Sequence, residues 1–335
     1  RIPEYIAKAY NIALSGRPGP VVLSVPENIL GEFSQISDRK FTRHFEPAPE
    51  KNIEHFLKEL LVGSQRPMIL VGGSGWCRTA SANLLSFATR HSVPVVTSFR
   101  RQDAFDNNSS VFCGALGTSV SPTLLRRIKE VDLFIVVGSR LGEMTTQGYE
   151  IMGESENNQK LIHVHVDPKE LGAVYSPDLG VVSTVKNFSQ VLVNLQIDQS
   201  SCWKNWCKTV HSEYVSDIKP PTYKGDLDLG HIFAYLNRSL PKDAIITLDA
   251  GNHTGWPQRF LTYSPERRQI GSTCGSMGYS IPAAVVAGLL FPSKTIVSFV
   301  GDGGFMMSGM ELMTAVQFEV PLVIIVFNNN SYGTI

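Results

Sequence analysis

The sequence contains little cysteine, no surplus of charge of either sign and no long apolar run. Its five cysteines are Cys77, Cys113, Cys202, Cys207 and Cys274. None of them forms a C-x-x-C pair, which argues against a zinc site and against a disulfide framework. Scattered cysteines are typical of proteins in a reducing compartment, so we expect a cytoplasmic protein.

The charge and the hydropathy of the chain argue against two further classes of protein. Thirty basic residues balance thirty acidic residues, so the composition predicts no nucleic-acid partner. No apolar run reaches the roughly 20 residues that a transmembrane helix needs, so we expect no membrane association. The 43% hydrophobic content can build sizeable cores, and 335 residues favour roughly two domains.

The most informative segment lies at the end of the chain. The apolar run Thr295–Val300 leads into Gly-Asp-Gly at 301–303, and a second apolar run, Leu322–Phe327, leads into three asparagines at 328–330. Between the runs, apolar residues with helical spacing predict one helix with a single apolar face, formed by Phe305, Met306, Leu312, Met313 and Val316. Two strands joined by a helix form a right-handed parallel unit. Asp302 and the asparagines are therefore expected to meet at the carboxyl edge of one sheet.

This arrangement suits a hard cation that holds a phosphate. Mg²⁺ prefers oxygen ligands and few carboxylates, with phosphate oxygens in the remaining positions. Asp302 supplies charge, an asparagine supplies a neutral carbonyl, and the glycines allow the backbone to approach an anion closely. The alternative is a simple Gly-Asp turn with an asparagine helix cap. The spacing of 24 residues between Gly303 and Asn328 favours the ligand site.

This segment resembles the thiamine diphosphate motif, in which GDG is followed at this spacing by NN. The motif belongs to thiamine diphosphate enzymes of the acetolactate synthase and 2-oxoacid decarboxylase type. The resemblance implies that thiamine diphosphate contacts Gly301, Asp302, Gly303, Gly304 and Asn329. It also implies that Mg²⁺ is bound by Asp302, by the side chain of Asn329 and by the backbone carbonyl of Ser331.

Two further segments carry the same resemblance. Residues 271–284, GSTCGSMGYSIPAA, are similar to the family's G-x-M-G-x-x-x-P-A-A segment. By resemblance, Met277 props the cofactor into a bent shape, and the Gly275 carbonyl accepts a hydrogen bond from the aminopyrimidine. Taken alone, this segment would be a loop with a core methionine.

Residues 249–256, DAGNHTGW, follow the predicted strand Ala244–Leu248 and are similar to the family's D-x-G-x-H-x-x-W loop. The resemblance implies that Gly251, Asn252 and His253 bind the diphosphate, although acetolactate synthases usually carry glutamine at the position of Asn252. A lone loop histidine is otherwise more often solvated or capping.

Two segments support the resemblance without adding chemistry. Residues 16–26 resemble the G-R-P-G-P-V strand that closes the family's pyrimidine-binding domain. Residues 163–168, HVHVDP, are similar to a strand near the end of the central domain. His163 and His165 alternate along that strand and face one side. No third ligand accompanies them, so a structural role is favoured over a metal pair.

The predicted fold class is α/β, with consecutive parallel-sheet, three-layer domains of the thiamine diphosphate enzyme type, truncated at both ends. Residues 1–32 would end the pyrimidine-binding domain, 53–197 would form the central domain, and 225–335 would begin the diphosphate domain. Phe33–Asn52 and Asp198–Lys224 are predicted to be polar linkers. Because the chain starts without methionine and stops directly after the cofactor motif, we expect a fragment.

The central unit follows an alternating pattern of strands and helices. Its predicted strands are Met68–Val71, Val93–Thr97, Leu133–Val137 and Leu161–Val166, and its predicted helices are Ala80–His91 and Ser121–Glu130. The glycine-rich stretch at 72–75 could open a nucleotide-binding module, but it is not G-x-G-x-x-G. Arg140 stands where acetolactate synthases usually show an R-F-D-D-R-like sequence. In this family the central domain holds FAD, ADP or no nucleotide, and this departure weakens the expectation of FAD. Arg140 could still contact a phosphate, and a surface ion pair is the alternative.

The resemblance implies an enzyme that uses thiamine diphosphate and Mg²⁺ to decarboxylate or join 2-oxoacids, in the manner of acetolactate synthase. Such an activity would serve branched-chain amino acid biosynthesis. A simple 2-oxoacid decarboxylase and a non-catalytic cofactor-binding relative are the alternatives. The family's activating glutamate is expected upstream of Arg1, so residues 1–335 alone are expected to be inactive. The resemblance also implies a homodimer or homotetramer.

Overall fold

A computed structural model gives the structure of the chain. It describes residues 1–334 except 41, 43–44, 153–158, 198–200 and 223–226, and the side chains of residues 201 and 202 are also not described. Among the described residues, none of the helices is both long enough and apolar enough to span a bilayer.

The first part of the chain contributes no buried residue to a core. Its helices are α1 (Ile2–Leu14) and α2 (Glu27–Leu30). Residues 16–26, which resemble a strand, form no strand here, and all of them are exposed. A strand needs a neighbour for its backbone hydrogen bonds, and no strand is paired with this segment within the described part of the chain.

The first sheet, with the helices that cover it, forms what we call the first domain. It has six parallel strands in the order β3-β2-β1-β4-β5-β6. The elements of this unit are α3 (Ile53–Val62), β1 (Pro67–Val71), α4 (Arg78–His91), β2 (Val95–Thr97), β3 (Phe112–Ala115), α5 (Pro122–Glu130), β4 (Leu133–Val137), α6 (Glu143–Thr146), β5 (Lys160–His165), β6 (Leu179–Val182), α7 (Val185–Asn194) and α8 (Ser201–Asp217). The four predicted strands and two predicted helices are all present, and their ends shift by one or two residues. Buried side chains cover both faces of the sheet, which gives three layers.

Helix α8 corrects the prediction of a linker at 198–224. It is 17 residues long and packs against β3 and α5. Trp203 and Trp206 are buried, and their indole N–H groups donate to the carbonyls of Ser64 and Pro67, each at 3.0 Å. The predicted role of the two tryptophans as anchors is therefore seen in a helix rather than in a linker.

The second sheet, with the helices that cover it, forms what we call the second domain. It has four parallel strands in the order β10-β9-β7-β8. The elements of this unit are α9 (Leu229–Ser239), β7 (Ile245–Leu248), α10 (Gly255–Phe260), β8 (Arg268–Gly271), α11 (Ser280–Leu290), β9 (Ile296–Gly301), α12 (Asp302–Ser308), α13 (Leu312–Gln317) and β10 (Val323–Phe327). Helices cover both faces here as well. The two parallel sheets confirm the predicted parallel-sheet α/β class.

The segment after β9 differs from the single helix with one apolar face that its spacing predicts. It consists of α12, a 3₁₀ turn at Gly309–Glu311 and α13. Five apolar side chains of this segment are exposed and form what we call the methionine surface: Met306, Met307, Met310, Met313 and Val316. The apolar pattern is real, but within the described part of the chain nothing packs over most of it.

Candidate cofactor site

The carboxyl ends of β7, β9 and β10 surround a cavity of about 490 Å³. Parallel pairing places Gly301 of β9 beside Phe327 of β10, so the residues that follow each strand lie at the same edge. Ten of the predicted site residues line this cavity: Gly251, Asn252, His253, Met277, Gly301, Asp302, Gly303, Gly304, Asn329 and Ser331. The remaining one, Gly275, lies in the loop that precedes Met277 and has a positive φ of 74°.

Two glycines that follow β9, Gly303 and Gly304, stand where the structure has no room for a side chain. A Cβ atom on Gly303 would lie 2.6 Å from Tyr332 and 3.2 Å from the Cε atom of Met277. A Cβ atom on Gly304 would lie 2.5 Å from the Oδ1 atom of Asp249. Both positions therefore require glycine, because a Cβ atom would collide with Tyr332 or with Asp249.

His253 brings an unsatisfied polar atom to the same cavity. Its Nε2 atom is buried and has no hydrogen-bond partner, and its ring stacks on Phe327 with a centroid separation of 5.5 Å. Burial lowers the pKa of His253, so the imidazole is neutral at pH 7. In the tautomer with its proton on Nε2, this ring can donate one hydrogen bond to a ligand oxygen.

Two asparagines form hydrogen bonds with the segment that follows β10 and lines the cavity. The Nδ2 atom of Asn252 donates to the carbonyl of Gly333 at 3.2 Å. The Oδ1 atom of Asn329 accepts from the backbone N–H of Ser331 at 3.1 Å. Asn252 thus contacts the segment that follows β10 and connects the two loops that are predicted to bind the cofactor.

The oxygen atoms at this edge fit Mg²⁺ better than they fit zinc. Among the described residues, no group of three or more His, Cys, Asp or Glu side chains could hold a metal ion. A cation beside Asp302 would depend on one carboxylate, neutral amide and carbonyl oxygens, and ligand phosphates. This is the donor set that Mg²⁺ accepts.

Met277 lies at the cavity and not inside a hydrophobic core. Its side chain is half-buried, and its Cε atom reaches the space above Gly303. It belongs to none of the buried clusters of the second domain. The side chain is thus placed to support a ligand that lies over the GDG segment.

Asp249 is a site residue to which the sequence assigned no role. Its carboxylate is fully buried and accepts hydrogen bonds from the backbone N–H groups of Ala250, Gly278 and Ser280, at 2.9, 3.0 and 3.0 Å. It therefore ties the loop after β7 to the loop that carries Met277. The only signal in the sequence is its place at the head of the D-x-G-x-H segment.

Trp256 also lines the cavity, at the start of α10. Its ring stacks on Phe233 with a centroid separation of 5.9 Å. No glutamate lines the cavity within the described part of the chain.

Comparison with known protein families gives two matches to this chain. The family model described as "Thiamine pyrophosphate enzyme, central domain" matches residues 55–192. The model described as "Thiamine pyrophosphate enzyme, C-terminal TPP binding domain" matches residues 249–335. Together the two matches cover more than half of the chain.

The chain belongs to the thiamine pyrophosphate enzyme family. The "Probable acetolactate synthase large subunit" of Methanocaldococcus jannaschii is 28% identical over 362 residues, which cover 100% of this chain and 59% of that protein. The "Acetolactate synthase large subunit" of Lactococcus lactis subsp. lactis is 28% identical over 344 residues, with 100% and 58% covered. That of Cyanidium caldarium is 28% identical over 353 residues, with 100% and 59% covered. The chain thus spans about three fifths of the length of these relatives.

The central domain of this thiamine pyrophosphate enzyme has a second cavity, of about 430 Å³, at the carboxyl edge of the first sheet. Arg17, Arg101 and Arg140 line it. No ion pair of Arg140 is found among the described residues, although a surface ion pair was one of its two predicted roles. Glu143 lines the cavity as well, and Arg17 and Arg101 each lie within 4 Å of a carboxylate, so the lining has charges of both signs. FAD stays a prediction.

The two histidines of β5 make local hydrogen bonds. The Nε2 atom of His163 lies 3.0 Å from the carbonyl of Ser139, and the Nδ1 atom of His165 lies 3.0 Å from the backbone N of Asp167. Burial lowers the pKa of both rings. These contacts agree with the structural role that was favoured for the pair.

Proposed function

We propose that the chain is part of a thiamine diphosphate- and Mg²⁺-dependent enzyme that decarboxylates a 2-oxoacid and joins the remaining carbon unit to a second carbonyl compound, as an acetolactate synthase does. The observation that carries this proposal is the single cavity at which the GDG, asparagine, histidine and methionine segments meet. The acetolactate synthase names of the relatives support the choice of substrate class.

One set of cavity residues would bind Mg²⁺, and a second set would bind the diphosphate. Asp302, the Asn329 amide oxygen and the Ser331 carbonyl would hold Mg²⁺, which in turn would hold the diphosphate. The buried Nε2 atom of His253 would gain the partner that it lacks by donating to a phosphate oxygen, together with Gly251 and Asn252. A buried polar atom without a partner is costly, so this hydrogen bond would favour binding.

The organic part of the cofactor would lie over the GDG segment. Met277 would support it from below, and the Gly275 carbonyl would accept a hydrogen bond from it. When bound, thiamine diphosphate supplies the group that stabilises the negative charge left when a 2-oxoacid loses carbon dioxide. The chain's own residues would position that group.

The activating glutamate is proposed to come from outside this set of residues, because none lines the cavity in the described part of the chain. A neighbouring subunit of a homodimer or homotetramer is the proposed source. The exposed methionine surface supports an assembly, since monomeric proteins rarely expose large contiguous apolar patches.

The test is turnover of pyruvate by the full-length protein with thiamine diphosphate and Mg²⁺, with residues 1–335 alone measured in parallel. We expect carbon dioxide and acetolactate from the full-length protein and no turnover from residues 1–335. Release of acetaldehyde without acetolactate would indicate a simple decarboxylase. Cofactor binding without turnover of any 2-oxoacid tested would indicate a non-catalytic relative, and no cofactor binding would contradict the proposal.

A further inference from the structure

An arginine of the first domain reaches into the second domain behind the cofactor cavity. Arg100 follows β2, and only 4% of its surface is exposed. Its Nη1 atom donates to the carbonyl of Ser272, and its Nη2 atom donates to the carbonyl of Asp249 at 2.7 Å. These two carbonyls belong to different loops, one leading to Met277 and the other to His253.

Neither the backbone nor the charge of Arg100 favours this position by itself. Its φ is 55°, in the left-handed region that residues other than glycine seldom adopt. Its guanidinium is buried, which lowers its pKa, and its Nε atom has no partner. Such unfavourable features persist where the surrounding structure holds them, and they cluster at functional sites.

Arg100 and Asp249 together form hydrogen bonds at both ends of the loop at 271–278. At its start, Arg100 bonds Ser272, and a Cβ atom on Gly271 would lie only 3.2 Å from the Cδ atom of Arg100. At its end, the Asp249 carboxylate accepts from the backbone N–H groups of Gly278 and Ser280. Met277 lies in the sequence between these two hydrogen-bonded ends of the loop.

We propose that Arg100 is a positioning residue that acts across the domain boundary. It holds the loop at 271–278 in the form that presents Gly275 and Met277 to the cofactor. An arginine suits the task because its planar fork reaches two carbonyls at once, whereas a lysine presents a single nitrogen. This inference rests on the proposed function, since it concerns the same cofactor site.

The test compares three variants of the full-length protein: Arg100→Met, Arg100→Lys and Arg78→Met. Arg78 is the matched control because it also reaches from the first domain to the second, where it lies 3.8 Å from Glu266, but it is exposed. Calorimetry with thiamine diphosphate and Mg²⁺ should show about tenfold weaker binding for Arg100→Met, as expected when two charge-assisted hydrogen bonds are lost. Arg100→Lys should lie between Arg100→Met and the wild type, and Arg78→Met should match the wild type.

A second measurement reports on the loop without any cofactor. The thiol of Cys274 lies 2.9 Å from the Oγ atom of Ser272 and 3.1 Å from that of Ser276. These hydrogen bonds lower the pKa of Cys274 to about 7, which makes it reactive at neutral pH. Release of Ser272 should raise this pKa toward its ordinary value and slow alkylation of Cys274 by iodoacetamide several-fold at pH 7. Cys77, exposed in the first domain, should react at an unchanged rate.

The outcomes separate this inference from the proposed function. Wild-type affinity in Arg100→Met, or equal losses in Arg100→Met and Arg78→Met, would overturn the positioning role. If Arg100→Met does not fold, Arg100→Lys decides, and wild-type affinity with an unchanged Cys274 rate would overturn it. If the wild-type protein binds no thiamine diphosphate, the proposed function fails, and the Cys274 rate alone decides whether Arg100 holds the loop.

Discussion

Gly301 and Phe327 are paired on the neighbouring parallel strands β9 and β10. The chain therefore leaves both strands at the same edge, and Asp302 and Asn328 follow at equivalent positions. Asp302 and Asn328, which are far apart in the sequence, come to line one cavity because of this register. The shared position of Asp302 and Asn328 is thus a direct consequence of strand pairing.

We expect Asp302→Ala to abolish the Mg²⁺-dependent binding of thiamine diphosphate. The loss should exceed the roughly 10–100-fold that removal of an outer-shell partner costs at a metal site, because Asp302 is the only carboxylate that lines the cavity among the described residues. Asp302→Asn should weaken binding less, since it keeps an oxygen. Calorimetry measures both variants, with Glu311→Gln, an exposed acidic position of the same segment, as the control. Unchanged affinity in Asp302→Ala would contradict the metal assignment.

Met277→Ala should lower turnover at least tenfold while changing stability little. Truncation of a fully buried methionine costs about 2–5 kcal/mol, and the half-buried Met277 should cost less than about 1 kcal/mol. The control is Met144→Ala, which is also partly exposed but lies in the first domain. Denaturant unfolding and steady-state turnover are the two measurements. A stable variant with unchanged turnover would show that Met277 has a purely structural role.

Trp203→Ala should destabilise the first domain by about 3–5 kcal/mol, the range for truncation of a buried aromatic side chain. The ring is 1% exposed and its N–H group donates to Ser64, so both packing and a hydrogen bond are lost. The control in the same helix is Val215→Ala, because Val215 is exposed. Chemical denaturation followed by circular dichroism measures the difference. If the two variants are equally stable, α8 does not anchor to the first sheet.

Acidification should destabilise the protein through its buried histidines. Burial lowers the pKa of His163, His165 and His253 below the ordinary value of 6.5, so the unfolded chain binds protons that the folded chain does not. Stability from these groups is present above that value and is lost as the pH falls through and below it. Melting temperatures between pH 8 and pH 5 test this, since the loss should begin about one pH unit above 6.5 and grow as the pH falls.

His163→Gln should reduce the slope of melting temperature against pH on the acidic side. His231→Gln, at an exposed position, should leave the slope unchanged. An identical slope in the wild type and in His163→Gln would show that His163 does not contribute to the pH dependence.

The sequence predicts well those elements whose own residues form a continuous apolar run. Strands β1 and β4 are buried along their whole length and appear as continuous apolar runs. Strand β3 has a glycine with a φ of 120°, and strand β8 begins with arginine and glutamine, so neither run indicates a strand. Helix α8 was mistaken for a linker because most of its residues are polar.

Contacts that depend on two distant segments are outside the reach of local patterns. The shared sheet edge of Asp302 and the asparagines could be predicted from motif spacing, and the position of His253 was implied by the family resemblance. The links from Arg100 to Ser272 and from Asp249 to Gly278 could not, because they depend on how the loops pack in three dimensions. The methionine surface illustrates the reverse case, in which an apolar pattern does not guarantee burial.

The position of Trp256 has an optical consequence. Of the four tryptophans in the sequence, Trp76, Trp203 and Trp206 are buried in the first domain, and Trp256 stands at the wall of the cofactor cavity. Occupation of that cavity should therefore change the emission of one indole against a constant background from the other three. The protein contains its own fluorescent reporter, and Trp256→Phe would identify the signal.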